Sequence, residues 1–169
     1  MATFEPPRKL AADDPVEDFR CGKRALDEWL ARYALTNQAS GMATVFVSTT
    51  VGGAIAGFYA LSAGGVARAD ASVSVAKGVP RHPVPVVVLT RMAVHEQHQG
   101  AGIGRSLLRD AVIRVATAAE LIGVRALLIH AKDDDARAFY LAQAEFEASP
   151  TDPLHLFLLL KDLKKAADL

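Results

Sequence analysis

Thr90-Arg91-Met92-Ala93-Val94-His95-Glu96-Gln97-His98-Gln99-Gly100-Ala101-Gly102-Ile103-Gly104-Arg105 is the stretch on which the reading of the fold turns. The aliphatic run Val86-Val87-Val88-Leu89 leads into it, and Leu107, Leu108, Ala111, Val112, Val115 and Ala119 follow at helical spacing. The pattern is strand, glycine-rich turn, helix, with the helix expected over roughly 102–121. Gly100, Gly102 and Gly104 carry no Cβ, so the chain can bend tightly there and bring a row of N–H groups against an anion at the positive end of the following helix. A phosphate-bearing ligand is expected.

Spacing excludes two phosphate motifs. A dinucleotide fingerprint G-x-G-x-x-G starting at Gly100 requires glycine where the chain has Arg105, and no Gly-Lys-Ser or Gly-Lys-Thr is present to make a P-loop. Gln99-Gly100-Ala101-Gly102-Ile103-Gly104 instead resembles the Q/R-x-x-G-x-G/A acyl-CoA signature of the GCN5-related N-acetyltransferases, the GNAT family. The resemblance covers about residues 20 to 162. It implies an α/β (α+β mixed sheet) GNAT fold: a central, mostly antiparallel twisted sheet flanked by helices; the length of 169 residues and the 51% hydrophobic content suit a single domain over 1–169. It also implies acetyl-CoA as cosubstrate. The backbone of Met92, Ala93 and Val94 would pair with pantetheine, and Gln99, Gly100, Ala101, Gly102, Ile103, Gly104, Arg105 and Ser106 would hold the pyrophosphate.

The rest of the chain supplies matching elements. Pro6-Pro7-Arg8-Lys9-Leu10 predicts a short edge strand, and Asp13, Asp14, Glu17 and Asp18 a solvated connection. Ala25, Leu26, Trp29, Leu30, Tyr33 and Ala34 recur at helical spacing, predicting one amphipathic helix from Gly22 to about Gln38 in which Trp29 and Tyr33 serve core or rim packing rather than a substrate platform. Residues 43–48 and 54–61 read as strands joined at Gly52-Gly53, and Ser62-Ala63-Gly64-Gly65 as the end of that hairpin. Pro83 and Pro85 forbid a central strand before Val86. Residues 125–131 predict a buried strand, Asp133-Asp134-Asp135 the cap of a helix through Ala144, and Phe146 with 154–160 a final hairpin.

A narrower resemblance rests on Leu61-Ser62-Ala63-Gly64, Val84-Pro85-Val86, Arg91-Met92-Ala93-Val94, Ala131-Lys132-Asp133, Ala138-Phe139-Tyr140 and Phe146-Glu147-Ala148-Ser149-Pro150-Thr151-Asp152-Pro153. These look like the GNAT toxins of toxin–antitoxin modules, of the TacT and AtaT type. That likeness implies as substrate the free α-amino group of an aminoacyl-tRNA, whose acetylation blocks translation. It implies a ribbon-helix-helix antitoxin as partner and leaves a homodimer open.

Tyr140 is the candidate acid. It matches the tyrosine that GNAT enzymes commonly set near the CoA sulfur, and a phenol is protonated at neutral pH, ready to serve a departing thiolate. The alternative is that Phe139-Tyr140 is a pair of packed aromatics. One departure stands out: the family's Gly-Phe after the tyrosine is replaced by Leu141-Ala142-Gln143-Ala144-Glu145-Phe146, with Glu145 at the glycine position and one residue more. A wider or kinked helix end is expected. Residues 90–94 hold no carboxylate, and Glu96 reads either as a base or as a solvated loop charge. A lysine amine with pKa ~10.4 is neutral in about one of ~2,500 molecules at pH 7, whereas an α-amine near ~8 is neutral in about one of ten. An α-amine therefore needs no strong enzymic base, and the missing carboxylate favours that substrate class.

The net charge is zero over 169 residues, with 19 basic and 19 acidic side chains, so a phosphate-binding face requires uneven distribution. Between Gly53 and His95 the only acid is Asp70, against Arg68, Lys77, Arg81 and Arg91, which become the candidate tRNA contacts. Arg8, Lys9, Arg20, Lys23 and Arg24 could extend that face. Cys21 is the single cysteine, and no histidine pair has metal-site spacing, so no metal is expected. No apolar run is long enough to span a membrane and residues 1–7 lack a signal peptide's layout, which predicts a cytoplasmic protein. Two rival functions remain open at this point: a GNAT acting on a small amine or protein N-terminus, and a non-catalytic module that binds acyl-CoA or a partner.

Overall fold

In the computed structural model, which describes residues 3–167, seven strands form one sheet in the order β1-β2-β3-β4-β5-β7-β6. The strands are β1 (Arg8–Lys9), β2 (Thr44–Thr49), β3 (Ile55–Val66), β4 (Val84–Val94), β5 (Ala126–His130), β6 (Glu147–Ala148) and β7 (His155–Leu159). β1–β2, β2–β3, β5–β7 and β6–β7 pair antiparallel, while Val86–Leu89 of β4 run parallel to Ala126–Ile129 of β5. The parallel pair is made possible by a helical crossover, as such connections require. The helices are α1 (Arg24–Arg32), α2 (Ala34–Ala39), α3 (Val73–Ala76), α4 (Ile103–Ala118), α5 (Asp134–Gln143) and α6 (Leu160–Ala167). This mixed, mostly antiparallel sheet with flanking helices is the expected fold class.

The chain divides into two compact units, residues 1–62 with 90–110 and residues 63–89 with 111–169, so β3 and β4 each contribute to both. In the first unit Phe19, Trp29, Leu30, Val45, Val47 and Phe58 form a buried core. Trp29 stacks on Phe58 at 6.1 Å, whereas Tyr33 is 53% exposed, so only the first of the two aromatics packs inside. In the second unit Val75, Val84, Val86, Ala126, Leu128 and Phe157 do the same.

Several expectations are corrected. The single helix over 22–38 is two, α1 and α2, which abut at Tyr33, where φ of −119° departs from the helical value of about −63°. Ser62 to Gly65 do not end the hairpin: β3 continues to Val66. Its glycines permit close approach, since a Cβ on Gly64 would lie 2.9 Å from Val88 Cγ2 and one on Gly65 would lie 3.3 Å from Pro83 Cβ. β4 begins at Val84 rather than Val86, because Pro85 needs no donor there and its carbonyl still accepts the Arg125 N–H at 2.8 Å. Asp14 is no solvated charge. Its carboxylate takes a bidentate pair from Arg8 at 2.8 Å and the Ala11 N–H at 2.7 Å, which holds it below the usual carboxylate range. The final strand stops at Leu159, and α3 and α6 were not foreseen.

Candidate functional site

The glycine turn lies in the first unit. β4 ends at Val94, a 3-10 turn covers Glu96–His98, and α4 begins at Ile103. Gly100 and Gly102 have φ of +84° and +83°, which residues with a Cβ adopt only at a cost, and a Cβ built on either would meet nothing within 4 Å. The turn is therefore an open cradle at the N-terminus of a 16-residue helix, where the first amides have no intrahelical acceptor. Gln99 holds the cradle in place: its Nε2 donates to the Cys21 and Val94 carbonyls, both at 3.2 Å. Arg105 and Ser106 are exposed, and the Ser106 N–H donates to Gly102 O at 3.1 Å.

Close packing sets where that helix starts. At Gly57 of β3 a Cβ would lie 2.9 Å from Leu107 Cδ1, 3.0 Å from Ile103 Cγ2 and 3.1 Å from the Ala93 carbonyl, so only glycine lets the first turns of α4 settle on β3. The Tyr59 hydroxyl then donates to the Asp110 carboxylate further along α4. Met92 and Val94 are half-buried and Ala93 is buried. Arg91 places its guanidinium 4.3 Å from the Trp29 ring centroid, and burial lowers it from its ordinary pKa. Glu96 is exposed and lines a cleft with Arg20, Arg24 and Arg32, its own N–H donating to the Arg20 carbonyl at 2.8 Å.

Tyr140 belongs to the second unit. Asp133 caps α5 by accepting the Ala136 N–H at 2.8 Å, as the acidic run predicts. Tyr140 is 5% exposed, with Phe139 at 5.4 Å and Phe146 at 6.4 Å in edge-on contact. Burial pushes its phenol well above the ordinary tyrosine value, and no hydrogen bond to its hydroxyl is present among the described residues. The ring is thus held by packing while the hydroxyl keeps its proton. The expected wide or kinked helix end is absent. α5 stops at Gln143 and leaves through extended Ala144 (φ −160°, ψ 176°), whose carbonyl accepts the Phe146 N–H at 2.9 Å; this exit needs no left-handed glycine, so Glu145 is accommodated.

Arg68, Lys77 and Arg81 are exposed on one segment of the second unit, whereas Arg91 is in the first unit. The residues that fix this segment were missed by sequence reasoning. Arg125 donates to the carbonyls of Ser74, Val75 and Lys77 at 3.3, 3.2 and 3.2 Å. Glu147 accepts the Ser74 hydroxyl at 2.7 Å, which lowers its pKa. Ser149 donates to the Asp70 carbonyl at 2.6 Å and Thr151 to the Asp70 carboxylate at 2.8 Å. No sequence signal marks Arg125; Ser149 and Thr151 fall between the two arms of the predicted final hairpin. Among the described residues no group of His, Cys, Asp and Glu could hold a metal ion.

A family model described as an acetyltransferase (GNAT) domain matches residues 43–144. The chain belongs to the GNAT family. This GNAT chain is 48% identical over 164 residues to the tRNA-acetylating toxin of Mycobacterium tuberculosis (strain ATCC 25618 / H37Rv), a match covering 97% of each protein. Among solved structures, AtaT complexed with acetyl-methionyl-tRNAfMet superposes with a TM-score of 0.85 at 25% identity over 98% of each chain. AtaTR bound with AcCoA does so with a TM-score of 0.81 at 25% identity, over 97% of this chain and 96% of that one. The protein is an N-acetyltransferase.

Proposed function

We propose that this protein is an acetyl-CoA-dependent toxin that acetylates the α-amino group of an aminoacyl-tRNA and thereby blocks translation in the cytoplasm. The observation that carries the substrate reading is the end-to-end similarity to a protein named as a tRNA-acetylating toxin. The donor reading is supported by the open glycine cradle at the α4 N-terminus, which suits a pyrophosphate, and by the likeness to AtaTR bound with AcCoA. Gln99 to Ser106 hold the pyrophosphate through backbone amides, and Met92 to Val94 pair with pantetheine. Tyr140 gives its phenolic proton to sulfur as the thioester C–S bond breaks. The absence of a carboxylate on 90–94 suits an acceptor that is already partly neutral at working pH.

Arg68, Lys77 and Arg81 contact tRNA phosphates. A ribbon-helix-helix antitoxin neutralises the enzyme, in line with the toxin name of its relative. No described helix is long and apolar enough to cross a membrane. The test is incubation of the purified protein with labelled acetyl-CoA and total charged tRNA, followed by identification of the labelled species. Label on the α-amine of an aminoacyl-tRNA is expected. Label only on free amines or peptide N-termini would move the enzyme to another acceptor class.

A further inference from the structure

His130 ends β5, His155 begins β7, and the antiparallel register sets the two directly opposite. Their rings stack at 4.2 Å with 20° between planes. His155 places Nε2 3.4 Å from Asp152 Oδ2, and Asp152 is itself fixed by accepting the Leu154 N–H at 2.9 Å. The neighbouring cross-strand pairs, Ile129 with Leu156, Leu128 with Phe157 and Leu127 with Leu158, are buried and apolar. The pattern changes to two imidazoles and a carboxylate where the strand leaves the core. His130 is exposed despite that stacking.

Its place in the sheet matters as much as its partners. The parallel pairing of β4 with β5 ends at Leu89 and Ile129, and His130 is the next residue of β5. Ligands of α/β sheets bind beyond the carboxyl ends of parallel strands. The helix that carries Tyr140 follows the same strand end within the same unit. We propose that His130 is a further catalytic residue, a proton acceptor for the acceptor amine, and that His155 and Asp152 are positioning residues behind it. This inference rests on the aminoacyl-tRNA acetylation proposed above.

The charged groups that act on it are His155 on β7 and Asp152 in the turn before β7; Lys132 and Asp133 follow it in the chain, and Arg137 of α5 is engaged elsewhere, its Nε donating to Pro153 O at 2.8 Å. Burial and then His155 lower the His130 pKa, against the smaller opposing pull of Asp152, so the imidazole is neutral and able to accept at neutral pH. The step balances as follows. His130 takes one proton from the ammonium and passes it to solvent. The neutral nitrogen attacks the carbonyl carbon, the N–C bond forms, and the C–S bond breaks with its electron pair on sulfur. Tyr140 protonates that sulfur, and the second nitrogen proton restores the phenol through solvent.

The experiment compares wild type, His130→Gln and His130→Ala for acetylation of total charged tRNA, with and without added imidazole, alongside acetyl-CoA affinity by calorimetry. Both variants should lose about 10²-fold in kcat with acetyl-CoA affinity unchanged. Imidazole should restore rate to His130→Ala in proportion to its free base and leave wild type unaffected. The glutamine variant keeps a polar side chain of related size, so it serves if alanine compromises folding. A folded variant within a few-fold of wild type overturns the assignment. So does a loss that imidazole does not restore, which would make His130 a packing residue. A wild type inactive on charged tRNA overturns the tRNA reading itself, and this inference with it.

Discussion

The Arg91 guanidinium lies 4.3 Å from the centroid of the Trp29 ring. Trp29 is in turn stacked on Phe58 in the core of the first unit, so the cation ties β4 to α1. A cation over an aromatic face contributes about 0.5–2 kcal/mol, more as it loses water. Arg91 is half-buried, unlike Arg68, Lys77 and Arg81. Arg91→Met, which keeps bulk over the ring and removes the charge, should lower stability by about 1 kcal/mol in denaturant melts. It should leave the salt dependence of tRNA acetylation close to wild type. A flattened salt slope with unchanged stability would return Arg91 to the set of phosphate contacts.

The three exposed cations are expected to behave differently. Single neutral replacements of Arg68, Lys77 or Arg81 should each weaken tRNA use and reduce the slope of log K against log salt by about 1, leaving acetyl-CoA affinity intact. Titrations at several salt concentrations read this directly. Arg125→Met, which releases the carbonyls of Ser74, Val75 and Lys77, should weaken tRNA use without being a phosphate contact itself, and the slope then changes less than the affinity.

Gly104 lies within the first turn of α4, so Gly104→Glu introduces no left-handed strain, whereas any replacement at Gly102, with φ +83°, does. The added carboxylate would stand at the helix end proposed for the pyrophosphate. Calorimetry should show acetyl-CoA binding lost by at least ~100-fold with the melting temperature preserved. Unchanged affinity would remove the glycine turn from the donor site.

Tyr140→Phe deletes one hydroxyl from a packed ring. Because no bond from that hydroxyl to the described protein is lost, stability should change little, while kcat falls about 10²–10⁴-fold at unchanged acetyl-CoA affinity. Burial keeps the phenol protonated through the neutral range, so kcat should show no alkaline loss from Tyr140 below about pH 10. Expression of this variant should also relieve growth arrest. Near-normal turnover would make Tyr140 a packing residue only.

The Arg8 and Asp14 pair predicts an acid limb in stability. The Arg8 hydrogen bond lowers the Asp14 pKa in the folded state, so the unfolded chain binds that proton first. The stabilisation is complete above the unfolded value of about 3.9 and is lost as pH falls through it towards the folded value. Asp14→Asn should reduce stability at neutral pH and flatten its decline between about pH 5 and 3 in thermal melts. An unaltered acid limb would mean the pair contributes nothing.

What was legible in the sequence was local. The aliphatic run, the three glycines and the apolar spacing after them establish strand, turn and helix, because a φ near +80° at Gly100 and Gly102 is a property of the residues that occupy it. The Asp133 cap and the Gly52-Gly53 turn were readable for the same reason: each is settled by atoms a few residues apart. The glycine turn before α4 and the place of Tyr140 on the helix after the acidic run also stood in contiguous residues.

Register and approach distance decided the rest. Gly64 and Gly65 read as a break until Val88 and Pro83 are brought within 3.3 Å of where their Cβ atoms would be. Asp14 read as a solvated acid until β1 presented Arg8 to it, and only the packing of α1 beside β4 sets the Arg91 guanidinium against the Trp29 ring. His130 and His155, separated by 24 intervening residues, meet only because β5 and β7 pair in one register; a shift by one residue would turn their side chains to opposite faces. Composition shows which charges and rings a chain owns, but their partners depend on strand pairing and helix packing, which the whole chain settles together.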